Sequence, residues 1–135
     1  IRTALRLEGG RVPCEVNVLF TDDEGIQALN RDLRGVDKAT DVLSFPAFSF
    51  TPEAFDPADG EVDPESGLLP IGDMALNLDR IRLQGQEYGT GEKHETAYLT
   101  VHSVLHLLGY DHVDEGEEKK QMRARERAIM RLMRI

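Results

Sequence analysis

Apolar and polar residues alternate with a period of two along several stretches of the chain, and this alternation predicts β-strands. The clearest predicted strands cover 12–20, 41–48 and 68–76. Residues 3–7 alternate more weakly and predict a preceding strand, with a turn at 9–10. Because proline lacks a backbone donor, Pro46 favours a sheet-edge position for its strand.

Other segments carry apolar residues at the spacing of helices. The predicted helices cover 22–34, 78–88, 93–108 and a last segment that opens at 114–118 and ends near the C terminus. We expect Asp22 to cap the first helix and Gly35 to end it. The buried face of that helix is expected to carry Ile26, Leu29 and Leu33. Interspersed strands and helices predict one sheet packed with helices, in the α/β or α+β class.

The length of 135 residues suits one domain, which we expect to span 1–135. With 40% apolar and 30% charged residues, the composition is typical of a soluble globular protein. No stretch approaches the roughly 18 consecutive apolar residues of a membrane span, so no membrane partner is expected. Cys14 is the only cysteine. This excludes an internal disulfide and favours a reducing compartment, with Cys14 as a small buried side chain.

The formal net charge of −9 argues against nucleic-acid binding by the molecule as a whole, because phosphate repels a negative surface. The charges are unevenly distributed, however. Residues 51–67 contain six acids and no base, and their prolines and glycines predict a mobile acidic loop. Residues 119–134 contain seven basic residues and one acid. This basic segment is either a surface that binds phosphate or a solvated helix face. In the second case the residues expected to pack inward are Met122, Ile129, Leu132 and Met133.

The strongest chemical signal is a group of three histidines near the end of the predicted helix 93–108. His102 and His106 are four residues apart, which places them one turn apart on the same helix face. Gly109 permits a left-handed turn that can bring His112 back towards this pair. Three neutral imidazoles are good ligands for Zn²⁺ or a similar divalent ion, and they leave a coordination position open for catalysis. A water bound there would have its pKa lowered to about 7.

The same histidine spacing occurs in metzincin proteases, which carry a glutamate as general base directly after the first histidine. Here that position is Ser103, which cannot take a proton from water at neutral pH. The geometry of a metallopeptidase is therefore present without its base. A metallopeptidase therefore remains one alternative.

Three blocks of the sequence together resemble one family, the YbeY family of bacterial endoribonucleases. The blocks are LNRDLRGVDKATDVLSFP at 29–46, Gly72-Asp73 within LLPIGDMAL, and HETAYLTVHSVLHLLGYDH at 94–112. They span most of the chain in the family's order. The sequence departs from the family at Ser103, where the family usually has glycine.

This resemblance implies a small α+β fold with a single mixed sheet, and one zinc-like ion held by His102, His106 and His112. It implies hydrolysis of single-stranded RNA in the cytoplasm. It also implies a role in maturation of the 3′ end of small-subunit ribosomal RNA and in ribosome quality control, with the ribosome or its small subunit as partner. The basic segment 119–134 is then a candidate surface for the ribosome. A ribosome-associated binding protein with a structural metal is a second alternative. Arg34 resembles the family's functional arginine and is the catalytic candidate, to neutralise charge at the phosphate.

Several further residues have both a functional and a structural interpretation. Lys38 is a weaker candidate for a phosphate contact. Asp41, Asp73 and Asp111 are candidates to orient a ligand imidazole, and are equally explained as capping or turn residues. His94 lies about 12 Å along the helix axis from His102, which is too far for it to join the same site, and we expect it to face solvent. Tyr98 is expected to be half-buried on the histidine face.

Overall fold

The computed structural model describes residues 1–9, 13–50, 62–110 and 116–134. These residues form an α+β fold, as predicted. The helices are α1 (Arg2–Leu7), α2 (Asp23–Arg34), α3 (Leu78–Glu87), α4 (Glu92–Leu107) and α5 (Glu117–Met133), and the strands are β1 (Cys14–Thr21), β2 (Val42–Pro46) and β3 (Leu69–Asn77). Most of the acidic segment 51–67 and the start of the predicted last helix at 114–115 lie outside the described residues. No helix in the described part of the chain has the length and apolar character needed to cross a membrane.

The three strands form one mixed sheet in the order β1-β3-β2. β1 runs parallel to the central strand β3, and β2 runs antiparallel to it. β2 is therefore an edge strand, as Pro46 predicted, because the missing proline donor is harmless at an edge.

Gly72 lies where β2, β3 and α4 approach one another most closely. Its φ angle is +146°, and a side chain there would collide with the carbonyl oxygen of Phe45 and come within 2.9 Å of Leu107. The register between β1 and β3 also shifts beside this position, between Glu15 and Val16. Glycine at this site therefore allows β2 and α4 to pack directly against β3.

The largest core cluster packs α4 against the sheet, α1 and α5. Its buried residues are Ala4, Phe50, Leu69, Ile71, Met74, Val101, Val104, Leu105, Leu107, Leu108, Tyr110, Met122 and Ile129. α4 is buried on several sides, because Ser103 and Leu107 are fully buried as well as Val101, Val104 and Leu105. Helix α2 covers a second core cluster, formed by Ile26, Leu43 and Ala75. A third cluster, formed by Leu76, Ile81 and Leu99, joins β3, α3 and α4.

Helix α2 begins and ends as the sequence predicted. The Asp22 carboxylate accepts a hydrogen bond from the Gly25 backbone N–H at 2.8 Å, and Gly35 has the left-handed φ of +71°. The prediction for Leu33 is wrong, because this side chain is 62% exposed. The helix docks through a narrower stripe that carries Ile26 and Leu29.

The prediction of a strand over 3–7 is also wrong, because Arg2–Leu7 is helical. The helix buries Ala4 completely in the main core, which a strand at the sheet edge would not achieve. The next residue, Glu8, accepts hydrogen bonds from Arg125 Nε at 2.6 Å and from the Tyr110 hydroxyl at 2.8 Å. Glu8 thereby ties the N-terminal segment to α5 and to the end of α4.

Candidate functional site

His102 and His106 lie one turn apart on α4, with their rings facing each other. The two Nε2 atoms are 3.1 Å apart, and the ring centroids are 4.7 Å apart in an edge-to-face arrangement. The spacing of four residues along a helix produces this approach, as the sequence predicted.

The other nitrogen of each ring has an acceptor beside it. His102 Nδ1 lies 2.7 Å from the Glu126 carboxylate, and His106 Nδ1 lies 3.0 Å from the backbone carbonyl of Tyr110. Because a carboxylate and a carbonyl only accept hydrogen bonds, each Nδ1 carries the hydrogen. In a neutral ring Nε2 then presents a lone pair, so both lone pairs are directed into the narrow space between the rings.

This arrangement fits a divalent cation. Two lone pairs 3.1 Å apart repel each other, and a cation between them removes the repulsion. With Zn–N bonds of about 2.0–2.1 Å, two ligands of a tetrahedral zinc ion lie about 3.3 Å apart. The observed separation is therefore close to the spacing that zinc requires.

The predicted third ligand, His112, lies outside the described residues, as does Asp111. Among the residues that the structure does describe, no set of three potential ligand side chains converges. The three-histidine site thus remains a prediction. The structure gives the geometry of two of its residues, His102 and His106. The third would join them from the segment after Gly109, whose φ of +102° provides the left-handed turn expected there.

The histidine pair opens onto a groove of about 590 Å³ between the end of α2, β2 and the end of α4. Its described lining residues are Arg34, Thr40, Asp41, Val42, Leu43, Ser44, Pro46, His102, His106, Gly109 and Tyr110. Arg34 reaches the groove because Gly35 ends α2 at this point. The structure thus brings the predicted catalytic arginine and two predicted metal ligands to one cavity.

Asp41, which precedes β2, also lines the groove. Hydrogen bonds from Asn77, the residue before α3, hold this part of the chain in place. The Asn77 backbone N–H donates to the Asp41 carbonyl at 2.9 Å, and the Asn77 side chain donates to the Thr40 carbonyl at 3.0 Å. The Asn77 side chain also donates to the Asp23 carboxylate at 2.6 Å. Asn77 is completely buried, so these bonds fix one wall of the groove.

Other candidates lie away from the groove. Asp73 accepts a hydrogen bond from its cross-strand partner Asn17 at 2.8 Å, which is a structural role on the sheet. Lys38 is exposed and is not among the described lining residues. His94 is only 33% exposed, so the expectation that it faces solvent is wrong in part.

Sequence reasoning missed Glu126, which contacts His102 directly. This side chain is 4% exposed, although it stands in the most basic segment of the chain. Its spacing was the available signal, because Met122, Glu126 and Ile129 follow one another at intervals of four and three on the buried face of α5. Tyr98, half-buried as expected, donates its hydroxyl to Glu126 at 2.9 Å.

The electrostatics of this contact favour an ionised carboxylate. Burial alone raises the pKa of Glu126, but the hydrogen bond from His102, the positive charge of that ring whenever it is protonated, and the Tyr98 hydroxyl outweigh it, so the pKa of Glu126 is lowered. Burial, together with the negative charge and hydrogen bond of Glu126, raises the pKa of Tyr98 to about 12. Glu126 is therefore an ionised acceptor and Tyr98 a neutral donor at neutral pH.

The basic residues of α5 divide between structural and exposed positions. Arg125 is bound to Glu8, and Lys120 lies 3.8 Å from Glu117. Arg127 and Arg131 are exposed. Of the apolar residues expected to pack inward, Met122 and Ile129 are buried and Met133 packs against the core, whereas Leu132 is 60% exposed. The helix therefore has a packed face and a basic exposed face, as the solvated-face interpretation predicted except at Leu132. Binding of phosphate or the ribosome by the exposed face stays a prediction.

Comparison with known proteins identifies the family of this chain. The family model described as Endoribonuclease YbeY matches residues 1–134. The chain belongs to the Endoribonuclease YbeY family. A relative of that name from Clostridium acetobutylicum is 46% identical over 133 residues, which cover 94% of this chain and 80% of the relative. Another, from Thermoanaerobacter pseudethanolicus, is 45% identical over 135 residues, covering 100% of this chain and 84% of the relative.

A solved structure supports the fold. The chain is similar to the solution structure of a Thermotoga maritima protein, with a TM-score of 0.56 and 23% identity over 97% of this chain and 77% of that one. Membership of the YbeY family agrees with the resemblance carried by the three sequence blocks. It also favours a nuclease over the peptidase alternative.

The structure explains how this chain accommodates Ser103, its departure from the family pattern. The Ser103 side chain is completely buried, and its hydroxyl lies 2.6 Å from the hydroxyl of Ser44 on β2. Ser103 is therefore enclosed between α4 and β2, and it is not among the described lining residues of the groove. It occupies the position of the metzincin glutamate in sequence only and does not supply a general base.

Proposed function

We propose that this protein is a metal-dependent endoribonuclease that hydrolyses phosphodiester bonds of single-stranded RNA in the groove beside α4. One observation carries the proposal. The Nε2 atoms of His102 and His106 meet at 3.1 Å in a groove that Arg34 also lines, in a chain of the Endoribonuclease YbeY family.

The residues proposed to hold the metal are His102, His106 and His112, with Zn²⁺ as the proposed ion. When bound, zinc supplies a Lewis acid and a water whose pKa is lowered to about 7. Glu126 and the Tyr110 carbonyl keep the hydrogen on the Nδ1 atoms, so that the Nε2 lone pairs remain directed towards the ion.

Arg34 is the proposed catalytic residue. Its guanidinium is planar and always charged, and it matches two oxygens of one phosphate. From the groove wall it would bind the scissile phosphate and stabilise the extra negative charge that develops during hydrolysis. The position of Arg34 in the last turn of α2 is also favoured by the helix dipole, and the two roles are compatible.

The proposed cellular substrate is the 3′ end of small-subunit ribosomal RNA, with a further role in ribosome quality control. The protein would act in the cytoplasm on the ribosome or its small subunit. These proposals rest on the family resemblance. Mapping of ribosomal RNA 3′ ends in cells that carry only the His106→Ala variant tests them, and we expect unprocessed ends to accumulate. Normal ends in those cells would contradict the assignment.

A cleavage assay on labelled single-stranded RNA tests the biochemical activity. We expect His106→Ala, and the wild type after metal removal, to lose cleavage. Arg34→Ala should slow it by about 100-fold or more, as expected for loss of a group that stabilises transition-state charge. Arg31→Ala is the matched control, because Arg31 is an exposed arginine on the same helix that is not among the described groove residues. It should cleave at nearly the wild-type rate.

Three outcomes would contradict the proposal. Folded His106→Ala and Arg34→Ala proteins that cleave as fast as wild type would indicate a contaminating nuclease. Peptide cleavage that a chelator abolishes, in the absence of RNA cleavage, would favour the metallopeptidase instead. A protein that unfolds on metal removal but never cleaves RNA would favour a structural metal.

A further inference from the structure

The C-terminal helix α5 reaches the histidine pair through one side chain. Glu126 is buried between α4 and α5, with one carboxylate oxygen 2.7 Å from His102 Nδ1 and the other 2.9 Å from the Tyr98 hydroxyl. Both oxygens are thus directed at α4. An apolar residue would complete the stripe of Met122 and Ile129 equally well, so packing alone does not explain a carboxylate here.

We propose that Glu126 is a positioning residue of the metal site, which fixes the ring angle and tautomer of His102 and so makes the docking of α5 a condition for tight metal binding. The proposal rests on the proposed function, because it requires His102 to be a metal ligand. Its new content is that a helix that contributes no proposed ligand controls the affinity of the site.

The hydrogen-bond chemistry gives the mechanism. A carboxylate beside Nδ1 holds the proton on that nitrogen, leaving the lone pair on Nε2, where it faces His106. The negative charge also makes the imidazole a stronger ligand. Without Glu126, the carboxylate that selects this tautomer is lost. In the other tautomer of His102, Nε2 carries a hydrogen and cannot bind a metal ion.

The two histidines differ in how they are held. His106 Nδ1 is bound by the backbone carbonyl of Tyr110, which no substitution removes. His102 Nδ1 is bound by a side chain from another helix. The orientation of His102 therefore depends on tertiary docking, whereas that of His106 depends on the turn that follows its own helix.

The test compares Glu126→Gln and Glu126→Ala with wild type by two measurements. The first is Zn²⁺ affinity from competition with a chromophoric chelator. The second is the tautomer of His102 in the metal-free protein, from its ring ¹⁵N chemical shifts. Glu118→Gln is the matched control, because Glu118 is an exposed glutamate on the same helix.

We expect Glu126→Ala to weaken zinc binding by about 10- to 100-fold, the usual effect of losing such an orienting partner. The His102 signal should shift towards the form protonated at Nε2. Glu126→Gln keeps the size and one acceptor oxygen, so it should fold and show a smaller loss of affinity. Glu118→Gln should match wild type in both measurements.

The outcomes separate this inference from the proposed function. If wild type binds no zinc, or binds it independently of His102, both proposals fail. If wild type binds zinc through His102 but both Glu126 variants retain its affinity and tautomer, the inference alone is overturned, even if their melting temperatures fall. Should Glu126→Ala fail to fold, the zinc affinity and His102 tautomer of the isosteric Glu126→Gln decide between the same outcomes.

Discussion

The hydrogen bond between Ser44 and Ser103 provides a prediction specific to this chain. It joins α4 to the edge strand β2 immediately beside the proposed ligand His102, with the two hydroxyl oxygens 2.6 Å apart. Ser103 is completely buried and Ser44 partly buried. The perturbations are Ser103→Ala, Ser103→Gly and Ser44→Ala.

The expected loss in free energy of unfolding depends on which of the two hydroxyls remains after the substitution. Ser103→Ala leaves the Ser44 hydroxyl, which water can partly reach, so the free energy of unfolding should fall by about 1 kcal/mol. Ser103→Gly introduces the residue that the family resemblance leads us to expect here, and it adds about 1 kcal/mol for glycine inside a helix, for a total of about 2 kcal/mol. Ser44→Ala leaves a fully buried hydroxyl and should cost about 1–2 kcal/mol, reduced if Ser103 turns to a carbonyl of its own helix.

The assay is urea unfolding of the single variants and of the double variant Ser44→Ala/Ser103→Ala, at one fixed metal concentration. The double variant leaves no unpaired hydroxyl, so its cost should be lower than the sum of the single costs by about 1 kcal/mol. Additive costs would refute the interaction. So would a Ser103→Gly protein as stable as wild type, because helix propensity and the lost bond both act against glycine at this position.

Three further predictions concern stability. Gly72→Ala should reduce the free energy of unfolding by about 2–4 kcal/mol in urea, because its φ of +146° and the close backbone of β2 leave no room for a side chain. Arg125→Met should cost about 3 kcal/mol in the same assay, because it leaves the Glu8 carboxylate, 3% exposed, without its ion pair. The Asn77 amide donates to Asp23 and, with Arg80, lowers its pKa. Above pH 4, wild type should therefore have its full stability advantage over Asp23→Asn, and this advantage should shrink as the pH falls further. Melting temperatures of both proteins, measured against pH, test this.

Arg131→Met removes an exposed charge from the same helix as Arg125 and should leave stability nearly unchanged. Equal effects of the two arginine substitutions would contradict a specific pair with Glu8. A Gly72→Ala protein of wild-type stability would contradict the close approach at β3. A gap for Asp23→Asn that stays constant with pH would contradict the assigned hydrogen bond.

Much of the fold could be predicted because local signals agreed with tertiary packing. The capping aspartate and terminal glycine of α2 are local chemistry, and they fixed its ends. The alternation within β1 predicted a strand correctly, although Val18 and Phe20 in its second half are exposed. The proline in β2 predicted the edge position of that strand. The N-terminal segment was wrongly predicted because six residues contain too few turns to separate a helix from a strand, and the burial of Ala4 that decides between them is tertiary.

The candidate site likewise has one part that local sequence predicts and another part that depends on tertiary packing. The spacing of His102 and His106 is a helix property, so the approach of their rings could be predicted from sequence. Glu126 lies 24 residues further on, and its contact with His102 depends on how α5 docks against α4. Its burial was hidden by the surrounding basic residues, which suggested a solvated face. A single acid at a buried helical spacing within a basic segment is the pattern that identifies such a residue.

The measurement that tests the account most directly is the zinc X-ray absorption spectrum of protein loaded with one equivalent of Zn²⁺. The account predicts three imidazole nitrogens and one oxygen at about 2.0–2.1 Å, with one imidazole lost in each of His102→Ala, His106→Ala and His112→Ala. A spectrum with a sulfur ligand, with fewer than three imidazoles in wild type, or with no change in these variants would contradict it.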